Sequence, residues 1–164
     1  MNHSDSLLET SLPRIPKWML WGYVAVAFLG LLDASYLTMK DYAGGGIACF
    51  VFTGCDDVLK SQYNNLFGIP VALFGALFYF GMLFLSLLYI DVRKGIILGL
   101  MMLGSIAGFL FSIGFVYLQL FVIKAICSYC MLSALTSTTI FLLSVFTARK
   151  IKKHQTLRAF IFGK

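Results

Sequence analysis

The sequence predicts an all-α integral membrane protein, a four-transmembrane-helix bundle with a short surface helix in its outer loop. Hydrophobic residues make up 60% of the 164 residues and charged residues only 12%. Four long stretches of the sequence contain almost no charged residue. About 20 apolar residues cross a bilayer, and a backbone in lipid must satisfy its own hydrogen bonds, so each stretch is expected to be a helix.

The four predicted spans cover residues 18–39, 69–90, 96–118 and 125–148. The first contains one acidic residue, Asp33, and a cleaved signal peptide is the alternative interpretation of this segment. A signal peptide is disfavoured because no A-x-A cleavage site follows and Asp33 stands where small residues would be needed. The remaining terminal segments, residues 1–17 and 149–164, are predicted to be polar and basic tails.

The long connection between the first two spans, residues 40–68, is predicted to carry the surface helix. Asp56 and Asp57 directly follow Cys55, and acidic side chains stabilise the positive end of a helix. Asn64 and Asn65 are typical of a helix end. A short amphipathic helix is therefore expected between Cys55 and these asparagines.

The distribution of basic residues predicts the orientation of the bundle. Of the 13 Lys and Arg residues, only Lys40, Lys60 and Lys124 fall on the side of the long loop. The others lie in the tails and in the turn at residues 91–94. Basic residues are enriched on the cytoplasmic side, so both termini are predicted to be cytoplasmic. The net charge of +6 then requires no nucleic acid, and the partner of the apolar surface is the lipid bilayer.

All four cysteines, Cys49, Cys55, Cys127 and Cys130, fall on the predicted outer side. They could form two structural disulfides, a zinc site or a redox relay. Zinc is disfavoured by the spacing of Cys49 and Cys55 and by the absence of a nearby histidine in the sequence. A relay is favoured because a C-x-x-C at a helix start lowers a thiolate pKa, and because its short loop gains little closure entropy from a structural disulfide.

A relay needs a final acceptor for its electrons. Cys130 is expected one turn deeper than Cys127, pointing into the bundle at membrane depth, where a quinone is the natural two-electron carrier. Asp33 is a second candidate, since an ionisable residue within a span suggests function. The alternative for Asp33 is a structural role, as a cap or in an ion pair with Lys40 or Lys124.

The motifs together resemble the vitamin K epoxide reductase family. The resemblance is carried by Cys49 and Cys55 with their spacing, by Ser61, by Phe67-Gly68-Ile69-Pro70 opening a span, and by Cys127-x-x-Cys130 opening the last span. The stretch from Asp33 to Leu37 resembles the bacterial branch of that family. The match extends over residues 18–148, nearly the whole chain.

The resemblance implies a bundle around a quinone, either ubiquinone or menaquinone, with no metal, in a bacterial cytoplasmic membrane. The role would be similar to that of DsbB, which reoxidises a periplasmic thioredoxin-fold protein such as DsbA. Cys49–Cys55 would then be the shuttle disulfide, exchanging through Cys55 with Cys127 of a Cys127–Cys130 disulfide. The Cys130 thiolate would attack the quinone and Cys127 would resolve the product, with Ser61 assisting the geometry of the loop or site.

Two departures from the family pattern refine this expectation. Vertebrate members place an Asn and a Tyr on the vitamin K head group, whereas alignment by eye puts Val71 and Ala134 at these positions. Plain quinone reduction is therefore favoured over vitamin K epoxide reduction, which stays an alternative, as does a non-enzymatic scaffold with structural disulfides. Many bacterial members also carry a fused thioredoxin-like domain, and its absence from this sequence predicts a separate donor protein.

Overall fold

The computed structural model describes residues 15–44, 54–66 and 68–162. Four of its helices are long and apolar enough to cross a membrane. They form an all-α bundle, which confirms the predicted fold class. Cys49 lies outside the described residues.

Four helices build the bundle, and we number the helices in chain order. Helix α1 is Lys17–Ala43, α3 is Val71–Val92, α4 is Gly95–Tyr117 and α5 is Ser128–Phe162. A π-helical segment, Leu118–Ile123, continues α4. Helix α1 packs against α3 and α5, and α4 packs against α5 and α3.

The centre of the bundle is held by close contact between α1 and α3. Gly30 lies against the ring of Tyr79, and a Cβ atom at Gly30 would overlap that ring. The Tyr79 hydroxyl then reaches α5, where it donates to the Ser133 carbonyl at 2.6 Å and contacts Thr136 Oγ1 at 2.8 Å. Tyr79 thus joins three helices at one level of the bundle.

The loop between α1 and α3 contains the short helix α2, Cys55–Leu59, with Asp56 and Asp57 in its first turn as predicted. The helix ends before the predicted asparagines, because Lys60 N–H donates to the Asp56 carbonyl and Ser61 N–H to the Val58 carbonyl in a closing turn. One face of the helix is buried, through Cys55 and Val58. It therefore lies on the bundle and covers it.

After α2 the chain returns to α3 through a small hairpin, in which β1, Asn65–Leu66, pairs antiparallel with β2, Ile69–Pro70. Asn64 fixes this hairpin to the end of α1, since its Nδ2 donates to Asp41 Oδ1 at 2.8 Å. The Asn64 carbonyl also accepts from Val71 N–H, the first residue of α3, at 2.8 Å. The loop is therefore attached to both helices that it connects.

Candidate active site

Cys127 and Cys130 lie where the last helix begins. Cys127 immediately precedes α5, and its carbonyl accepts from Met131 N–H at 3.0 Å, as expected of the residue that caps a helix. Its sulfur accepts a hydrogen bond from Cys130 N–H at 3.4 Å. Both cysteines are thiols in the structure, so the pair is described in its reduced form and the Cys127–Cys130 disulfide stays a prediction.

The surroundings of Cys127 favour its thiolate. A hydrogen bond with the Cys130 side chain lowers the pKa of the Cys127 thiol, and this effect outweighs burial, which raises it. The backbone N–H groups of Cys130 and Tyr129 lower the pKa further, whereas the negative charge of Asp33 raises it. A thiolate is the reactive form in disulfide exchange, so the geometry activates Cys127.

Gln119, in the π-helical segment, is hydrogen-bonded to the backbone of Cys127. Its side-chain Oε1 accepts from Cys127 N–H at 3.1 Å, and its own carbonyl accepts from Ala125 N–H at 3.2 Å. The Gln119 side chain is fully buried, and its Nε2 has no hydrogen-bond partner among the described residues. Gln119 could not be predicted as part of the site, because a single glutamine in an apolar stretch carries no pattern that indicates its partner.

Cys55 and Cys127 lie in the same part of the molecule. They share one buried cluster with Leu37 and Val58, and both are 0% exposed. Cys55 is disulfide-bonded, and its partner lies outside the described residues. The Cys49–Cys55 pairing therefore stays a prediction, and so does exchange between Cys55 and Cys127.

Gly54 explains how Cys55 comes so close to Cys127. A Cβ atom at Gly54 would lie 2.8 Å from the Ile126 nitrogen and 2.9 Å from the Ala125 Cβ. Both residues belong to the segment that leads into Cys127, and a backbone atom at that distance cannot move aside cheaply. The absence of a side chain at Gly54 allows the two cysteine-bearing segments to touch.

Cys130 faces a different environment, a cavity of about 330 Å³ between the helices. The cavity wall is largely apolar and aromatic, as is typical of small-molecule sites. Besides Cys130 it is formed by Ala34, Leu37, Leu59, Asn64, Val71, Ala72, Phe74, Gly75, Phe78, Tyr79, Ala107, Gly108, Phe111, Ser112, Phe115, Val116, Ser133, Ala134 and Ser137. Cys130 thus lies between Cys127 and a cavity formed by the membrane-spanning helices.

Val71 and Ala134, the two positions where the family pattern has polar residues, both line this cavity. Their side chains offer no hydrogen bond to a ligand. Ser137, one turn beyond Ala134 on α5, supplies a polar group instead. Its side chain is 2% exposed, and its Oγ has no hydrogen-bond partner among the described residues.

Ser61 lies outside the cavity wall. Its Oγ donates to the Val58 carbonyl at 2.7 Å, at the end of α2. In this position it stabilises the helix that carries Cys55, so the contact that the structure shows for Ser61 is with the loop.

Asp33 is buried in α1 at 8% exposure, and neither of its carboxylate oxygens has a hydrogen-bond partner among the described residues. The structural alternative, an ion pair with Lys40 or Lys124, is not formed in the described part of the chain. The Lys40 ammonium lies over the Tyr36 ring instead, 5.9 Å from its centroid. Helix geometry explains why Lys40 does not pair with Asp33, because residue 40 lies almost two turns beyond residue 33.

Comparison with known proteins gives one family. The family model described as the vitamin K epoxide reductase family matches residues 21–145, well over half of the chain. No curated protein matches the sequence significantly. The matched residues include α1, the loop, α3, α4 and the part of α5 that lines the cavity.

Proposed function

The chain belongs to the vitamin K epoxide reductase family, and on this premise we propose that it oxidises a separate thioredoxin-fold protein and passes the electrons to a quinone. Members of the family are membrane oxidoreductases, so the proposal concerns which donor and acceptor this chain uses. One observation carries it. Cys127 shares a buried cluster with Cys55, whereas its neighbour Cys130 lines an apolar cavity between the helices.

This arrangement suits two exchanges in series. A reduced donor would open the Cys49–Cys55 disulfide, and the Cys55 thiolate would attack the Cys127 sulfur of an oxidised Cys127–Cys130 pair. A mixed Cys55–Cys127 disulfide forms and the Cys130 thiolate leaves. Cys49 then attacks Cys55, re-forming the shuttle disulfide and releasing Cys127 as a thiolate, which the neighbouring Cys130 stabilises.

The cavity fits a quinone head group. Its volume of about 330 Å³ lies within the range of ligand pockets, and aromatic side chains such as Phe74, Phe78 and Phe111 form much of its wall. The buried, unpartnered Ser137 hydroxyl is positioned to donate a hydrogen bond to a carbonyl oxygen of such a ligand. When bound, a quinone supplies the sink for two electrons and two protons.

The chain's own residues then have defined tasks. Cys130 presents its sulfur at the cavity wall, and Cys127 holds a second sulfur next to it, ready to close the Cys127–Cys130 disulfide. The loop that carries α2 forms one side of the cavity, because Leu59 and Asn64 belong to its wall. Ser61 keeps that loop in place through Val58.

The proposed setting is a bacterial cytoplasmic membrane, with both termini in the cytoplasm and the cysteines on the periplasmic side. The asymmetry of basic residues supports this orientation. A membrane-impermeant thiol reagent, added to intact spheroplasts after reduction, is expected to label Cys49. It is not expected to label a cysteine introduced at Arg93 in the exposed turn between α3 and α4.

Trapping of the mixed disulfide tests the proposed relay. In Cys49→Ala, Cys55 has lost its shuttle partner, so oxidised protein is expected to accumulate the Cys55–Cys127 disulfide, detected by mass spectrometry of the digested chain. The double variant Cys49→Ala/Cys127→Ala is the matched control and should show no such peptide. If Cys55 and Cys127 never pair under any redox condition, the cysteines are structural and the proposal is wrong.

A further inference from the structure

Asp33 is an unusual residue for its position. Its side chain lies within a membrane-spanning helix, is buried, and lacks a hydrogen bond and an ion pair among the described residues. A buried carboxylate without a partner is costly, and ionisable residues within spans are rarely retained for packing alone. Gln119 Nε2 and Ser137 Oγ are also buried without a hydrogen-bond partner among the described residues, but neither group exchanges protons readily.

The groups around Asp33 belong to the cysteine site. Its carboxylate interacts electrostatically with Cys127 and Cys130 from the start of α5, with Tyr129 between them, and with Tyr79 from α3. The next residue, Ala34, lines the cavity. No Lys or Arg of the described residues pairs with it. Leu37, one turn after Asp33, packs in the buried cluster of Cys127, and Ala34 lines the same cavity as Cys130, so Asp33 lies on the part of α1 that borders the cysteine site.

The proposed reaction must move protons in this buried region. Closing the Cys127–Cys130 disulfide removes two electrons and two protons from the two thiols, and reducing a quinone to a quinol takes up the same number of each. Cys127 is fully buried. The Tyr79 hydroxyl donates its hydrogen bond to the Ser133 carbonyl, so it already has a partner.

We propose that the Asp33 carboxylate is the internal proton acceptor for the Cys127–Cys130 pair, an inference that rests on the proposed function. It takes up a proton when a thiol of the pair becomes a thiolate, and it releases that proton before the next turnover. Asp33 is neither oxidised nor consumed. The electron pair passes from the two sulfurs to the quinone, and the S–S bond between Cys127 and Cys130 is the bond that forms.

Asp33 has a second, opposing effect that makes the inference testable. Its negative charge raises the pKa of the Cys127 thiol. In Asp33→Asn the charge is gone while the size of the side chain is kept. The thiolate of the reduced pair should therefore appear at lower pH than in the wild type, although quinone reduction becomes slower. A merely structural role of Asp33 does not predict this combination.

The experiment uses the full chain in lipid bilayers, with a reduced thioredoxin-fold donor and a short-tailed benzoquinone. Quinone absorbance gives the rate as a function of pH, and ultraviolet thiolate absorbance gives the ionisation of the reduced protein without quinone. Asp33→Asn is expected to reduce the rate about 100-fold at neutral pH, the lower end of what general acid–base catalysis contributes. The wild-type rate should fall with decreasing pH as Asp33 becomes protonated, and the variant should lack that dependence.

Two further variants complete the design. Asp33→Glu keeps a carboxylate and should recover much of the rate. Asp91→Asn makes the same chemical change at an exposed residue near the C-terminal end of α3. Its rate of quinone reduction should match that of the wild type.

Each outcome decides between the possibilities. If Asp33→Asn reduces quinone at the wild-type rate with the wild-type pH profile, the inference is wrong and the proposed function stands. If the rate falls but Asp33→Glu does not recover it and the thiolate ionisation is unchanged, Asp33 is structural and the inference is wrong. If the wild type itself reduces no quinone, the proposed function fails, and the inference fails with it.

Discussion

The two ends of the bundle treat their buried polar groups differently. At the end where α1 begins and α5 leaves the membrane, such groups are paired, as in the hydrogen bond of 2.8 Å between the Tyr23 hydroxyl and Ser144 Oγ. Thr147 and Ser86 donate to backbone carbonyls of their own helices. At the cysteine end, Asp33, Gln119 and Ser137 keep polar atoms without partners among the described residues.

This difference separates what holds the bundle together from what carries its chemistry. Buried polar groups in proteins are nearly always hydrogen-bonded, so a cluster of exceptions needs an explanation. Here the exceptions surround Cys127, Cys130 and the cavity. The paired end stabilises the fold, and in the proposed function the unpaired end binds the ligand and moves protons.

The largest effect is expected at the junction between the two cysteine segments. In Gly54→Ala the new methyl group collides with Ala125 and Ile126, so Cys55 is displaced from Cys127. A displacement of about 1 Å costs up to about 100-fold in rate, and the donor-driven rate of quinone reduction should fall accordingly. A reaction driven by dithiothreitol, which reduces the Cys127–Cys130 pair without Cys55, should be affected far less.

Gly81→Ala is the matched control for this variant, because nothing lies within 4 Å of a Cβ atom at Gly81. It should retain the wild-type rate with either reductant. Equal losses with both reductants in Gly54→Ala would show that the substitution damages the cavity, which contradicts its assignment to the junction.

The next effect concerns the ionisation of Cys127. Its thiol pKa is lowered chiefly by the hydrogen bond with Cys130, so Cys130→Ala should raise that pKa. Because the thiolate is lost as the pH falls through the pKa, the variant should lose its thiolate absorbance at a higher pH than the reduced wild type. A titration that moves in the opposite direction would show that Cys130 does not stabilise the Cys127 thiolate.

A smaller effect is expected at the cavity wall. Ser137→Ala removes the unpartnered hydroxyl, and the loss of one neutral hydrogen bond of about 1 kcal/mol corresponds to roughly five-fold weaker quinone binding. The KM for quinone should rise by this factor with little change in kcat. Thr139→Ala, at a half-buried position on the same helix that does not line the cavity, is the control, and an unchanged KM in Ser137→Ala would remove Ser137 from the binding site.

The smallest effect on activity is expected at the paired end. Tyr23→Phe leaves Ser144 without its tyrosine partner and should cost about 1 kcal/mol in the free energy of unfolding. The quinone reduction rate should stay at the wild-type level. A strong loss of activity in this variant, with the protein still folded, would contradict the division between the two ends.

The fold could be predicted from the sequence because the bilayer imposes a simple rule. A long apolar segment in lipid must be a helix, so the four spans follow from composition alone. The start of the last helix was predicted at residue 125 but lies at Ser128. Lys124 takes a left-handed backbone conformation there, with φ of 56°, and Cys127 caps the helix, neither of which hydropathy can indicate.

The site was predictable only in part. The cysteines could be recognised by their spacing, whereas the role of Gln119 depends on a π-helical segment that brings its side chain under Cys127. The close approach at Gly54 depends on which segment packs against that glycine, here Ala125 and Ile126. The roles of the aromatic residues also depend on packing that the sequence does not show. Phe111 lines the cavity, whereas Phe109, two positions earlier, stacks on Phe141 with 4.4 Å between the ring centroids.

The most direct test of the proposed function is the absorbance of a quinone mixed with the protein in lipid and a reduced thioredoxin-fold donor. The wild type should consume quinone, and Cys130→Ala should consume none although it folds and keeps Cys55 beside Cys127. Quinone loss at the wild-type rate in Cys130→Ala would contradict the electron path. The absence of quinone loss in both proteins, with the thiols confirmed by titration, would contradict the function itself.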